Sequence, residues 1–254
     1  MLKSTFFSFI VISSILIISC NSDKAATTFT DHIETAHQKT SFLEKVIVEF
    51  DLLLKFNGQE RLNGTFTLST NSENGIIEEK NGDELYYLKD QVFYKDRDSL
   101  NLDKLRFKAY TWSYFFLFPY KLTDPGVNWE DYENKKLTDQ DYLVKKMTFK
   151  KGTGDSPDDW YIVYADSVSH LIHASAYIVT YTKSQSEAEE DPHAIVYEDY
   201  KEIDGVPIAH KWTFWEWRDG QLNKQLGEAI LSNFSFLNKE DRSFAIPDGF
   251  KEIQ

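Results

Sequence analysis

His170 and His173 stand three residues apart, a spacing at which two imidazoles on one helical turn could share a metal ion. The residues that follow alternate as an extended strand over 172–182, and on a strand positions i and i+3 face opposite ways. That pair therefore cannot converge, and His32, His37, His193 and His210 are scattered. They read as surface or hydrogen-bonded histidines, and no metal or cofactor is expected. Asp155, Asp158 and Asp159 gather around Pro157, but the glycine and glutamate spacing of a calcium loop is missing, so the segment reads as a solvated acidic loop. The 41 acidic residues offer too many carboxylate pairs for a glycosidase pair to be picked out. Trp212, Trp215 and Trp217 could stack on a sugar, although packing of a sheet explains them more simply. There is no G-x-S-x-G, no S-x-x-K and no glycine-rich phosphate loop, so an enzyme is not expected.

Composition narrows the field further. The 254 residues carry 28 Lys plus Arg against 41 Asp plus Glu, a formal net charge of −13. That balance excludes a nucleic-acid binder, which needs a basic footprint. One cysteine cannot build a disulfide framework or a thiolate metal site. Aromatics at 15%, with only 11 Gly and 6 Pro, exclude a disordered chain.

The elements that must hold these residues are mostly strands. Residues 29–39 predict a short helix with Thr30 as its N-cap. Val46, Val48, Phe50, Leu52, Leu54 and Phe56 then alternate with a second set, a period of two that only a strand converts into a face. Seven of the eleven glycines follow Asn or Asp, the hairpin-turn pairing. About ten strands follow from this pattern, mostly sequence-adjacent and therefore antiparallel. Residues 101–120 break it. They are apolar nearly all round after Tyr110, and Pro119 and Pro125 limit their extension, so they predict a helix buried by the surrounding sheet. Several strands carry large apolar groups on both faces, which requires a cover on each side or an enclosed space.

The N-terminus has a different job. Lys3 precedes Phe6–Ile18, an apolar run that spans about 20 Å as a helix, short of a bilayer core of about 30 Å. This is a signal-peptide pattern. Ile17-Ile18-Ser19-Cys20 resembles the bacterial lipobox. The resemblance implies cleavage before Cys20, lipidation of its thiol and amine, and membrane attachment through the acyl chains. Residues 1–19 are then the signal peptide, 20–28 the lipidated cysteine and a flexible tether, and 29–254 one domain. Ser22-Asp23 resembles a surface-export signal of Bacteroidota lipoproteins, and Asp98-Ser99-Leu100 and Asp166-Ser167-Val168 resemble O-glycosylation triplets of the same bacteria.

The layout as a whole resembles the lipoprotein-localisation factors LolA and LolB. In that family an N-terminal helix precedes a long antiparallel sheet curved into an unclosed barrel, with helices plugging the concave, lipid-accepting side. Asp158–Asp166 and Tyr197–Ile208 are also similar to segments of Bacteroidota lipoproteins. The resemblance implies a mainly β (α+β) fold and a non-enzymatic, lipid-anchored envelope protein, at the outer membrane. It would bind or carry an acyl chain, lipid or lipoprotein. The candidate ligand-binding residues are Tyr110, Trp112, Phe115, Phe116 and Phe118 of the aromatic helix, with Trp212 and Trp215 of the late strands. Two other readings remain. A sealed interaction module would have a packed interior with no cavity above about 300 Å³. A glycan-handling hydrolase would expose Trp212, Trp215 or Trp217 beside two acids.

Overall fold

The computed structural model describes residues 28–95 and 101–253. The stretch assigned to signal peptide, Cys20 and tether lies outside the described residues up to position 27, as does the triplet at 98–100. The fold is mainly β, with 49% strand and 17% helix.

Two short helices open it, α1 (Phe29–Ala36) and α2 (Lys39–Glu44). The N-cap is Thr28 rather than Thr30. Its hydroxyl accepts from Asp31 N–H while the Asp31 carboxylate accepts from Thr28 N–H, so two orphan donors are satisfied reciprocally. Gln38, in the left-handed region at φ 54°, separates the helices. A run of five antiparallel strands follows: β1 (Ile47–Phe56), β2 (Gln59–Ser69), β3 (Asn74–Glu79), β4 (Glu84–Leu88) and β5 (Gln91–Lys95). The chain then leaves the sheet as α3 (Leu102–Leu117), continued by a 3₁₀ turn at Phe118–Tyr120. It re-enters at β6 (Val127–Asp131), makes a two-residue-per-strand hairpin of β7 (Lys136–Leu137) and β8 (Gln140–Asp141), and continues through β9 (Leu143–Phe149), β10 (Tyr161–Ala165) and β11 (Ile172–Tyr177). A short helix α4 (Gln185–Glu189) precedes three long strands, β12 (His193–Ile203), β13 (Val206–Arg218) and β14 (Gln221–Leu237), and then β15 (Phe250–Glu252).

Thirteen strands form one sheet in the order β15-β5-β4-β3-β2-β1-β14-β13-β12-β11-β10-β9-β6. The two edges, β15 and β6, do not pair, so the sheet is not closed into a barrel. The order explains the curvature. The chain must cross from the β5 side of the sheet to its far edge at β6, largely through α3. Thirteen strands laid flat would be about 58 Å wide at 4.8 Å spacing, while sixteen helical residues reach only about 24 Å. Curling of the sheet brings its two sides within reach of the helix, and α3 packs across the concave face. Bulges in the β1–β14 and β13–β14 pairings permit the bend.

The two apolar faces expected for the strands are both present. Val48, Phe50, Leu52 and Leu54 point with Phe66, Tyr161, Val163, Trp212 and Phe214 into the concave core, where the helices pack. Ile162, Tyr164, Ala174, Ala176, Val196 and Trp217 point the other way, into a second cluster capped by Leu137 of the β7–β8 hairpin. Ten strands were expected and thirteen make the sheet; β3, β6 and β15 are the additions. Two of the glycines assigned to turns lie inside strands instead. A Cβ on Gly64 would meet the Glu78 carbonyl at 2.5 Å, and one on Gly75 would strike the Tyr87 ring at 2.1 Å, so close packing requires both.

Candidate functional site

A cavity of 660 Å³ lies between α3 and the concave faces of β6 and β9–β14. Its wall is largely aromatic: Phe107, Tyr110, Trp112, Tyr114 and Phe115 from the helix, Phe56, Phe149, Tyr161, Tyr177 and Phe214 from the strands, with Val179, Tyr181 and Leu226 between them. This exceeds the ~300 Å³ that separates a sealed interior from a ligand-sized pocket.

The helix is pinned at both ends of this wall. Its N-cap is Asn101, whose side chain accepts from Lys104 N–H. Arg106 donates from Nε and Nη2 to the two carboxylate oxygens of Asp155, at 2.7 and 2.9 Å, and from Nη1 to the Asp90 carbonyl. The same guanidinium lies 5.1 Å from the Tyr110 ring centre. Tyr110 Oη donates to the Lys89 carbonyl and Tyr181 Oη to that of Asp103. These contacts fasten the first half of α3 across the cavity mouth to loops on either side. The second half is anchored internally: Tyr197 Oη donates to the Phe115 carbonyl at 3.0 Å in a buried position. Phe116 stacks on Phe50 at 4.3 Å, and the Phe42 and Tyr120 rings lie parallel at 3.7 Å.

Besides the Arg106 and Asp155 pair, the wall includes Lys89, Asp90, Lys121, Asp124, Asp159 and His193. Asp159 Oδ1 accepts from both the backbone N–H and the hydroxyl of Thr180, each at 2.7 Å. Burial outweighs those bonds and pushes its carboxyl up to about 6, with Asp158 adding like charge. Burial likewise raises Tyr114, Tyr161 and Tyr177 above an ordinary phenol. Burial and the like charges of Asp155 and Asp90 raise Tyr110, offset by Arg106, to about 12.

The structure divides the candidate residues. Tyr110, Trp112 and Phe115 line the cavity. Phe116 and Phe118 do not: both are buried, on Phe50 and Phe42 and on Tyr114 and Tyr161 respectively. Trp212 is 1% exposed in the concave core and is not part of the wall. Trp215 faces the opposite side of the sheet, half-buried against the second cluster, and Trp217 is buried there. No exposed tryptophan platform results. His170 sits in a tight turn at φ 59° with its ring 4.6 Å from that of His32, and His173 stacks on Tyr142. Among the described residues no group of three metal-binding side chains converges. His37 is fully buried between Tyr120 and Tyr200, and its Nε2 accepts the Ile172 N–H, so burial depresses its pKa to about 3 and keeps it neutral.

Sequence reasoning missed Asp155 and Asp159 as parts of the site. Their partners, Arg106 and Thr180, are 49 and 21 residues away, and no local pattern announces them.

The comparisons with known proteins agree with this geometry at the level of fold. A model of DUF6503, a family of unknown function, matches residues 87–206, a span running from β4 through α3 to the start of β13. No curated protein matches the chain significantly. The chain is similar to a LolA superfamily protein from Nitrosomonas europaea, with 11% identity and a TM-score of 0.52 over 82% of this chain and 97% of that one. It is similar to a DUF1329 family protein from Desulfovibrio piger, with 11% identity and a TM-score of 0.53 over 82% and 94%. A domain assigned to outer membrane lipoprotein sorting in Vibrio parahaemolyticus gives 10% identity and a TM-score of 0.50 over 84% and 97%. At such identities the likeness shows a LolA-like fold and nothing finer. Among the described residues no helix is long and apolar enough to cross a membrane.

Proposed function

We propose that the chain is a lipid-anchored, single-domain protein of the bacterial envelope, attached to the outer membrane through Cys20. It binds the apolar part of an amphiphile, a lipid or the acyl chains of a lipoprotein, in the cavity beside α3. The 660 Å³ aromatic cavity carries this reading. Burial of apolar surface contributes roughly 25 cal/mol per Å², so an acyl chain is retained there by partition, without chain-specific polar contacts. The LolA-like fold supports the same reading, because the neighbour from Vibrio parahaemolyticus is assigned to lipoprotein sorting. The cavity also favours this reading over the sealed interaction module, and the burial of Trp212 and Trp217 favours it over the sugar platform.

Native mass spectrometry of protein purified from its own envelope tests the proposal. Wild-type protein is expected to carry a stoichiometric lipid that organic extraction releases. Val179→Trp, which fills the cavity from the segment just after β11, is expected to lose it while remaining folded. A clean apo mass for wild type, even after lipid is offered, contradicts the proposal.

A further inference from the structure

Beside the Arg106–Asp155 pair at the mouth, the cavity wall carries a second polar group centred on Asp159. Asp159 is fixed by Thr180 through Oδ1 alone, and its Oδ2 has no hydrogen-bond donor among the described residues. Tyr114, Tyr161 and Tyr177 line the same cavity, with ring centroids 5.8 Å apart for the first pair and 6.1 Å for the second. None of the three hydroxyls makes a hydrogen bond within the described residues, and each feels the charge of Asp159. Asp159 Oδ2 and these three hydroxyls thus share one patch of the cavity wall with no protein partner among the described residues, open to whatever occupies the cavity. Of the basic groups that line the cavity, Arg106 is engaged with Asp155 and the Asp90 carbonyl, Lys121 with Ser72 and Asp124, and His193 lies 3.7 Å from Asp191, while Lys89 belongs to the Tyr110 side, where its carbonyl accepts from the Tyr110 hydroxyl.

We propose that this patch of the cavity receives the protonated amine of an amphiphile, with the apolar chain lying along Trp112, Phe115 and Phe214. The inference rests on the amphiphile-binding reading above and adds the chemistry of the head group. An ammonium offers three donors and no acceptor. Asp159 Oδ2 and the tyrosine oxygens are acceptors, and the electron-rich ring faces add cation–π attraction in a poorly solvated site. A carboxylate or phosphate head would meet the Asp159 charge directly, with Arg106 and Lys121 already paired to other carboxylates. A neutral alcohol would form a hydrogen bond without the charge assistance that makes such bonds roughly twice as strong.

Full-length, delipidated protein is captured on a surface and titrated with dodecylamine, dodecanol and dodecanoate. Enough salt is added to screen the net negative charge. The expected order is amine tightest, by about ten-fold over the alcohol, and carboxylate weakest. Asp159→Asn keeps an acceptor for Thr180, so it should fold, which a thermal melt verifies. It is expected to lower the amine's affinity to that of the alcohol. Equal binding of amine and alcohol to wild type, or an amine preference that survives in Asp159→Asn, overturns the head-group inference alone. Failure of all three to bind overturns the amphiphile reading and this inference with it.

Discussion

The two flanks of α3 meet the same sheet in opposite ways. On one flank Leu105, Ala109, Ser113 and Phe116 recur at helical spacing and are all buried, with Phe116 closed between Phe42, Phe50 and Phe234. On the other, Phe107, Thr111 and Tyr114 recur at the same spacing and look into the cavity. Both flanks are apolar and aromatic, so composition does not distinguish a filled core from a binding wall. The polar atoms do. The packed flank leaves none open, since Ser113 Oγ donates to the Ala109 carbonyl and Lys108 pairs with Glu79. The open flank ends at Tyr114 and Asp159, whose polar atoms have no full set of protein partners.

The comparison can be broken by truncation. Phe116→Ala on the packed flank is expected to cost about 3–5 kcal/mol in urea denaturation, whereas Phe107→Ala, half-buried at the cavity, is expected to cost less than about 1.5 kcal/mol. Equal costs would mean that the two flanks are packed alike.

The acid response of the packed region comes next in size. His37 is neutral when folded, with its pKa near 3 against 6.5 for the free side chain. The unfolded chain therefore takes up a proton that the folded one refuses. Stability contributed here is complete above about pH 6.5 and falls as pH drops toward 3, by up to about 1.4 kcal/mol per pH unit. His37→Gln, measured as stability against pH, should flatten that slope. Asp159, at the open region, has the opposite sign. Its folded pKa is raised from 3.8 to about 6, so its contribution is present below about pH 4 and lost as pH rises through 6. Asp159→Asn should therefore be more stable than wild type at pH 8, with the gap closing below pH 4. Because the carboxyl is half-buried, the gain is expected at about 1 kcal/mol or less.

Arg106→Ala should have the smallest effect on stability. The Arg106–Asp155 pair is partly exposed and is worth about 1 kcal/mol at most. Its effect should appear in kinetics, as faster release of bound amphiphile in stopped-flow displacement, because the pair fastens the helix across the cavity mouth.

Much of the fold was legible in the chain. The alternation of Val48 to Phe56, the Asn-Gly and Asp-Gly turns and the aromatic block before Pro119 each report a local rule. What escaped has physical reasons. β3 buries Gly75, Ile76 and Ile77 in succession, so no period of two appears. β6 is an edge strand with a polar end, and β15 has only three residues. The site was half legible. An aromatic helix over a sheet pointed to Tyr110, Trp112 and Phe115, but which neighbours face a void depends on the helix's rotation against strands far away in sequence. Phe116 differs from Phe115 only in that angle, and Phe118 lies in the 3₁₀ turn beyond the helix. Asp159 looked like any solvated acid until Thr180 and the cavity stood beside it.

Photoaffinity labelling tests the central claim most directly. Wild-type protein is irradiated with a diazirine-bearing long-chain alcohol and the adducts are mapped by peptide mass spectrometry. Labels are expected on the open flank and its facing strands, within residues 107–115, 177–181 and 214–226. Labels confined to the opposite face of the sheet, around Trp160 and Trp217 where a smaller recess of 280 Å³ lies, or no saturable labelling, would contradict the claim that the cavity beside α3 is the binding site.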